Sequence, residues 1–396
     1  MGMPVAVAGV GLVVVAIAGT AWGVRTALLE QRAAAQRAAL RAAEEAGAAD
    51  SAAAQPEAQP PAQPVEPRDT PLPRTPGALR LATYNLENLF DSIDDPALSG
   101  QYEDIDDAKP EAQLVALAAV IRTLDADVLA LQEVESEGAL RWFRDTYLAD
   151  AGYVHLASLD AGDERGIEQA VLSRYPIVRA ENWVGRELGG THPESWGDAE
   201  NFHAGEPIRF HRSPLLVEID IPAEGGDASP TGAPDATDAA SYRLTLLVVH
   251  HKSGGPGDYW REAESAGLVR LLDELSLALP DRNLALLGDF NAGPDAASIR
   301  TYLDAGLFET FSPGGVASGR ASHTHASERA IDHILAGPGL VPELVAGSGF
   351  VLATPVLPRE VDYRTAEPPE GYASDHFAVA LEVRVGAPAE PNSAGE

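Results

Sequence analysis

Four short apolar runs, each stopping on a side chain able to do acid/base or metal chemistry, constrain this chain more than any other feature. LRLAT leads into Asn85 of TYNLEN, DVLALQ into Glu133, LTLLVV into His250, and LALLG into Asp289, with Asn291 two residues on. Each run has the length of a buried strand, which puts its polar residue where the strand ends. Two further signatures, AIDHIL around Asp332 and ASDHF around Asp375 and His376, complete a set of six. Carboxylates, carboxamides and imidazoles converging on one rim of a sheet make a metal-assisted acid/base site.

Cysteine is absent from all 396 residues, which excludes disulfides and thiolate-held metals. The hard oxygen donors that remain favour magnesium, with manganese or calcium as substitutes, over zinc. The formal net charge is −32, of which residues 1–77 supply −1, from six arginines against seven acids. So acidic a protein repels polyanions at long range. That argues against non-specific nucleic-acid binding through basic phosphate contacts. It is compatible with a nuclease whose cation and local arginines neutralise one phosphate, and solubility is the plainest reading of the excess.

Residues 5–24 carry no charge and are numerous enough to span a bilayer as a helix. Residues 1–25 are therefore expected to be a transmembrane anchor or a signal segment. Ala16-Ile17-Ala18 would suit cleavage, but a basic n-region is missing and the run continues into Arg25, which favours an uncleaved anchor. Arg25, Arg32, Arg37 and Arg41 would hold their side in the cytoplasm by the positive-inside rule. A tether and spacer nevertheless suit a surface enzyme, so the catalytic part is expected to be membrane-anchored and extracytoplasmic. Secretion after cleavage and a cytoplasmic-facing arrangement are the alternatives. Residues 26–54 are Ala-rich and read as a juxtamembrane helix. Residues 55–77 are a Pro-rich linker with eight prolines, expected to be a stiff spacer of polyproline character. The catalytic domain is expected over 78–385, with 386–396 as a disordered tail.

Within that domain, strands and helices alternate. PEAQLVALAAVIRTL carries Leu114, Leu117, Ala118 and Ile121 at helical spacing after Pro110, and proline suits a first turn. Residues 258–278 read as a second amphipathic helix. Residues 223–240, rich in glycine, proline and aspartate, are expected to be a disordered insertion. Residues 181–210 are expected to be a long loop that shapes the substrate mouth with Trp183, His192, Trp196 and His203, beside His211.

Phosphoester hydrolysis needs positive charge on the phosphate, a water aimed in line and a rigid frame. Glu133, at a strand end, is the expected metal ligand, and Asn85 offers a neutral oxygen or orients a bound water. Asp289 and Asn291 are two apart, so both project to one side of an extended segment. A carboxylate there can accept a proton from water, and a carboxamide can donate to phosphate. Arg165 and Arg212 are candidate phosphate clamps. Lys252 is one of only two lysines and has no role assigned by its sequence. His323 and His325 stand two apart without a third ligand nearby and read as loop residues.

Taken in order, the six signatures resemble the endonuclease/exonuclease/phosphatase superfamily over residues 78–385, and TYNLENLFD is most similar to its bacterial nuclease-type members. The resemblance implies a DNase I-like α/β fold, a four-layer sandwich of two packed mixed β-sheets flanked by helices. It also implies that Asp289 and Asn291 place the attacking water and bind the scissile phosphate. It pairs His376 with Asp332, gives Asp375 a metal or outer role, and makes His250 rather than His251 the second catalytic imidazole. Glu168 sits where relatives often carry an acid that orients that imidazole.

The expected function is a divalent-metal-dependent phosphoesterase that cleaves phosphodiesters of nucleic acid by in-line attack of a metal-activated water. Alternatives are a sphingomyelinase-like lipid phosphodiesterase and an inositol or sugar phosphatase. A catalytically dead binding protein of the same fold is the non-enzyme alternative, disfavoured because every polar position of a working site is filled. The expected partners are the phosphoester substrate and, through the N-terminal helix, a membrane. No protein partner is evident.

Overall fold

The computed structural model describes residues 63–93, 108–222 and 242–386, apart from 198, 255–256, 313–314, 318, 359–360 and 362–365. The expected anchor, the Ala-rich helix, the 223–240 insertion and all but the first residue of the tail lie outside these. Among the described residues no helix is long and apolar enough to cross a membrane.

Two six-stranded sheets carry the fold. In the first half, β1 (Ala78–Leu89), α1 (Glu111–Leu124), β2 (Val128–Val134), α2 (Glu137–Tyr147), β3 (His155–Ser158), β4 (Glu168–Ser173) and β5 (Ile177–Glu181) follow in sequence. Short strands β6 (Glu187–Thr191), β7 (Ser195–Trp196), β8 (Ala199–Glu200) and β9 (Pro207–Arg209) come next. The second half runs β10 (Leu215–Ile221), β11 (Tyr242–His250), α3 (Asp258–Glu274), β12 (Asn283–Asp289), α4 (Ala297–Asp304), β13 (Phe308–Glu309) and β14 (Asp332–Ala336). Strands β15 (Phe350–Leu352) and β16 (Ala378–Arg384) return to the first sheet. The sheet orders are β15-β16-β1-β2-β4-β3 and β13-β14-β12-β11-β10-β5. Each sheet is centred on one parallel pair, β1 with β2 and β11 with β12, and antiparallel neighbours flank it. A helix covers each parallel crossover, α1 in the first sheet and α3 in the second, as such connections require.

Period-two alternation explains why the central strands are apolar on both faces. Leu81 of β1, Leu246 of β11 and Leu287 of β12 pack between the sheets. Their neighbours Ala82 and Tyr84 meet Leu117 and Ile121 of α1. Leu247 and Leu286 meet Leu268 and Leu271 of α3. The result is two sheets face to face with helices outside each, and every fully buried leucine contributes about 1.5–3 kcal/mol.

Two regions depart from expectation. Residues 63–77 of the expected spacer lie against the catalytic domain. Val65 N–H donates to Arg320 O (2.8 Å) and Val65 O accepts from Ser322 N–H (2.9 Å). Arg68 exchanges backbone bonds with Val351 and Ala353 in the same way, each 2.9 Å. Val65 and Arg68 keep the N–H that their proline neighbours lack, and Leu72 adds apolar contact. Residues 181–210 are not a plain loop: β6 pairs with β9 and β7 with β8. Gly189 and Gly190, at φ 81° and 78°, supply the irregular turn of β6 that other residues resist.

Candidate active site

The alternation that builds the core also aims the site. Leu79 and Leu81, Leu244 to Val248 at every second residue, Ala285 and Leu287, and Ile334 and Ala336 face the gap between the sheets. The same period carried to the strand ends reaches Asn85, His250, Asp289 and Asp332. Register reinforces this, because His250 lies beside Asp289 and Asp289 beside Asp332. Glu133 is out of phase, since Gln132 takes the gap-facing position and donates to Thr83 Oγ1 (3.1 Å). A register shift between Gln132 and Val134, with left-handed φ of 61° at Glu133, turns the carboxylate onto the gap. Glu133 Oε1 then lies 3.4 Å from Asn85 Nδ2 and 3.7 Å from His250 Nε2.

Asn85 Nδ2 also approaches Asp289 Oδ2 at 3.3 Å, and Asn85 Oδ1 accepts from Glu87 N–H at 3.0 Å. A backbone N–H can only donate, so the amide presents N–H rather than oxygen to the carboxylates. Asn85 is thus placed to orient Glu133 and Asp289, and its Oδ1, expected from sequence to meet a cation or to orient a bound water, is engaged by Glu87 N–H. Asn291 donates its backbone N–H to Asp289 Oδ1 (2.8 Å) and Nδ2 to Asp289 Oδ2 (3.1 Å). Burial pushes the Asp289 carboxyl up to about 6; His376 opposes the shift, and Asp332 and Glu133 add to it.

The two imidazoles are driven apart. Burial takes His250 well below its ordinary 6.5, and Arg212 and His376 reinforce the shift. Its Nε2 lies 3.5 Å from Asp289 Oδ2, while its buried Nδ1 has no hydrogen-bond partner. For His376 burial acts downward, but Asp332 outweighs it and holds the imidazolium well above the usual range. His376 Nδ1 sits 3.1 and 3.0 Å from the two Asp332 oxygens, and Nε2 is 3.8 Å from Asp289. Thr324 Oγ1 anchors Asp332 Oδ2 at 2.6 Å. His251 turns the other way, to Tyr302 Oη (2.8 Å) and Glu264 (3.3 Å), so the alternation does separate the two histidines.

Other expected residues are placed less centrally. Glu168 is buried at the start of β4 and accepts from Ser158 Oγ. The orienting bond expected for His250 is not made, because Nδ1 has no partner. Arg165 donates to Asn88 Oδ1 and lies 3.6 Å from Glu133 Oε2. Arg212 is buried, with Nε 2.9 Å from Asp163 in an ion pair that lacks hydrogen-bond alignment. Its Nη1 donates to His251 O at 3.2 Å. Arg165 thus reaches the centre directly, whereas Arg212 braces the strand end behind it.

Sequence reading missed Glu87, Lys109 and Tyr372. Tyr372 Oη lies 2.8 and 2.7 Å from the two Glu87 oxygens, and Lys109 Nζ donates to Glu87 O at 2.7 Å. Burial raises the Glu87 carboxyl, and Asp375 and Glu133 add to it. Burial also lowers the Lys109 ammonium against the pull of Glu87, Glu133 and Asp375. Glu87 stands two residues after Asn85 in TYNLEN, but no motif marks Lys109 or Tyr372, because the group is assembled from both ends of the domain.

Three carboxylates, Glu87, Glu133 and Asp375, thus share one region with two cations, Lys109 and Arg165. This hard-oxygen, net-negative donor set fits a hydrated divalent cation. Among the described residues, donor atoms of Asp289, Asp332 and His376, and of His325, Asp375 and His376, lie within 4.8 Å of one another. Glu133 belongs to neither group. In the first, Asp332 is already engaged by His376 and Thr324. Burial raises Asp375, but the His325 hydrogen bond and the charge of His376 outweigh it and hold the carboxylate at about 2.

Two packed sheets whose facing strand ends bring together carboxylates, a neutral and a charged imidazole, and a carboxamide define a hydrolase of the phosphoester-cleaving class. The chain belongs to the Endonuclease/Exonuclease/phosphatase family, whose profile matches residues 82–376. Members of that family are typically dependent on divalent metal. A search of curated sequences gave no match. Among solved structures, the human nocturnin catalytic domain aligns at TM-score 0.47 and 14% identity, over 78% of this chain and 95% of that one. A family protein from Bacteroides thetaiotaomicron aligns at 0.44 and 18%, over 78% and 98%. A mannosyl-6-phosphatase from the same species aligns at 0.41 and 18%, over 77% and 99%.

Proposed function

We propose that the protein is a divalent-metal-dependent phosphodiesterase acting on nucleic acid, with magnesium as its ordinary cation. One observation carries the reading. Asn85, Glu133, His250, Asp289 and His376, drawn from both sheets, form a chain of contacts of 3.3–3.8 Å at one end of the sandwich. Glu133 and Asp375, with Glu87 behind them, would hold the cation. When bound, it supplies positive charge at a phosphate oxygen. Asp289, kept in place by Asn291, accepts the proton of the attacking water. His376, held charged by Asp332, supplies positive charge and a proton at Nε2. Neutral His250 has its Nε2 beside the carboxylates and donates from there to the phosphate, and Arg165 adds charge at the mouth.

Nucleic acid is favoured over a lipid headgroup by the wall next to His250. Lys252 Nζ lies 5.8 Å from the Trp196 ring centre and 6.0 Å from Trp260, with His203 against both rings. Phe202 is 89% exposed close by in sequence. Trp260 is buried, so the aromatic faces open to bases are those of half-buried Trp196 and exposed Phe202, with Lys252 for the backbone. We also propose that residues 1–25 tether this activity to a membrane, with the domain outside the cytoplasm.

The test is cleavage of plasmid DNA, single-stranded DNA, RNA, sphingomyelin and inositol phosphates by the full chain with magnesium, manganese or calcium. EDTA is the control and Asp289→Asn the blank. EDTA-sensitive cleavage of nucleic acid that the variant lacks is expected. Turnover confined to sphingomyelin or small phosphates would replace the substrate assignment, and turnover undiminished by EDTA would remove the cation from it.

A further inference from the structure

The SHTHAS segment has no part in the mechanism above, yet it is built onto the center. Phe377 N–H donates to Thr324 O and Ala326 N–H donates to Asp375 O, both at 2.7 Å. His325 therefore pairs as a short bridge with His376, and on its other side with Arg329. Consecutive side chains of an extended segment point opposite ways. Thr324 uses this to grip Asp332, and His325 to reach Asp375, whose Oδ2 lies 3.1 Å from His325 Nε2. The two carboxylates flanking His376 are thus each held by one of two successive residues. The His325 ring also stands edge-on to His376, at 4.5 Å between centres and 78°.

The hydrogen bonds of His325 fix its proton. Ser327 donates its backbone N–H to Nδ1 at 2.9 Å. An atom that accepts from a backbone N–H carries no hydrogen of its own, so in the neutral ring the hydrogen sits on Nε2. Nε2 therefore faces Asp375 as a donor with no lone pair to offer a metal. This separates His325 from the ligand role that its place among Asp375 and His376 suggests.

We infer that His325 is a positioning residue: its Nε2–H holds Asp375 Oδ2 so that Oδ1, 3.9 Å from His376 Nε2, stays turned toward the cation-binding region. The inference rests on the proposed role of Asp375 as a cation ligand. A histidine that donates to a carboxylate ligand fixes its orientation, and removing such partners typically weakens metal affinity about 10–100-fold.

The experiment is calorimetric titration of manganese into the full chain and three variants, with melting temperatures taken in EDTA. His325→Phe keeps a ring against His376 but removes the donor. It should weaken manganese binding about 10–100-fold while leaving the EDTA melting temperature close to that of the parent. His325→Gln carries an N–H donor at the corresponding reach and should restore most of the affinity. Asp375→Asn is the reference and should weaken binding at least as much as His325→Phe. If Asp375→Asn weakens binding and His325→Phe does not, the positioning role is overturned while the ligand reading stands. If Asp375→Asn itself leaves affinity unchanged, the ligand reading fails and takes this inference with it. A glutamine variant no better than phenylalanine would show that the donor is not what matters.

Discussion

Strand β1 buries charge at both ends, and the two ends treat it differently. Near its start, Arg80 is 1% exposed and Glu382 likewise. Arg80 donates to Glu382 Oε1 at 3.2 and 2.9 Å, to Leu124 O at 3.0 Å and to Leu72 O at 2.7 Å. Glu382 Oε2 accepts from Thr75 N–H at 2.9 Å. Every nitrogen and oxygen of the pair has a partner. At the other end, His250 Nδ1 has none, and Asp289 faces Asp332 and Glu133 while buried. Glu87 and Glu133 there hold left-handed φ of 52° and 61°, a conformation that costs about 1–2 kcal/mol for residues other than glycine and asparagine. One end is closed by satisfied charge, and the other is left with charge and strain that a substrate and cation can use.

The comparison breaks most visibly with Asp289→Asn. Loss of the proposed base should lower kcat/KM by roughly 10²–10⁴-fold. Stability should change little, since the replacement removes a buried carboxylate that burial already resists ionising but turns an amide N–H toward Asn85 Nδ2 and Asn291 Nδ2. Steady-state kinetics beside denaturant unfolding of the same samples checks both halves of this expectation. A variant that loses stability as well as activity would mean that the open end is structural after all.

Arg80→Ala is the converse and comes next in size. Removing one partner of a fully buried pair strands the other, and should cost about 3–5 kcal/mol. Cation affinity of the folded fraction should be unchanged. Arg80→Leu combined with Glu382→Leu should recover much of the loss, because no unpaired charge remains. Urea midpoints for the single and double variants decide the matter. A single variant as stable as the parent would show that the pair is dispensable and that the two ends do not differ in kind.

This contrast also explains what was legible in the sequence. Asn85, His250, Asp289 and Asp332 continue an unbroken two-residue period from apolar runs, so their common destination follows from the alternation alone. Glu133 was found as a strand-end acid, but the bulge that aims it breaks the period and leaves no local mark. Glu87 lies within TYNLEN, but its partners do not announce themselves, because Tyr372 is 285 residues on and Lys109 sits outside any motif. His325 has no ligand close to it in sequence, and Asp375 is 50 residues on. The docked residues 63–77 were hidden by composition. Proline content describes how a segment is solvated, whereas Val65 and Arg68 dock through backbone groups that composition does not reveal.

The smallest effect, and the one that reads the open end most directly, is the pH dependence of stability without cation. Asp289 binds its proton more tightly folded than unfolded, so stability falls as pH rises from 3.8 to about 6. His376 is raised as well; its stabilisation is complete below 6.5 and is lost as pH climbs through its higher folded value. Asp375 has the opposite sign. Its contribution is present above 3.8 and disappears as pH falls toward 2. His250 opposes Asp289 and His376: burial holds its imidazole well below 6.5, so its contribution is present above 6.5 and is lost as pH falls, and the Asp289 part is read by difference from a variant. Urea unfolding in EDTA between about pH 4 and about pH 6 should show the parent losing stability relative to Asp289→Asn as pH rises. Above about pH 6 the difference between parent and variant should stop growing. A pH dependence identical in parent and variant would mean that Asp289 ionises without penalty. The open end would then hold no more electrostatic tension than the closed one.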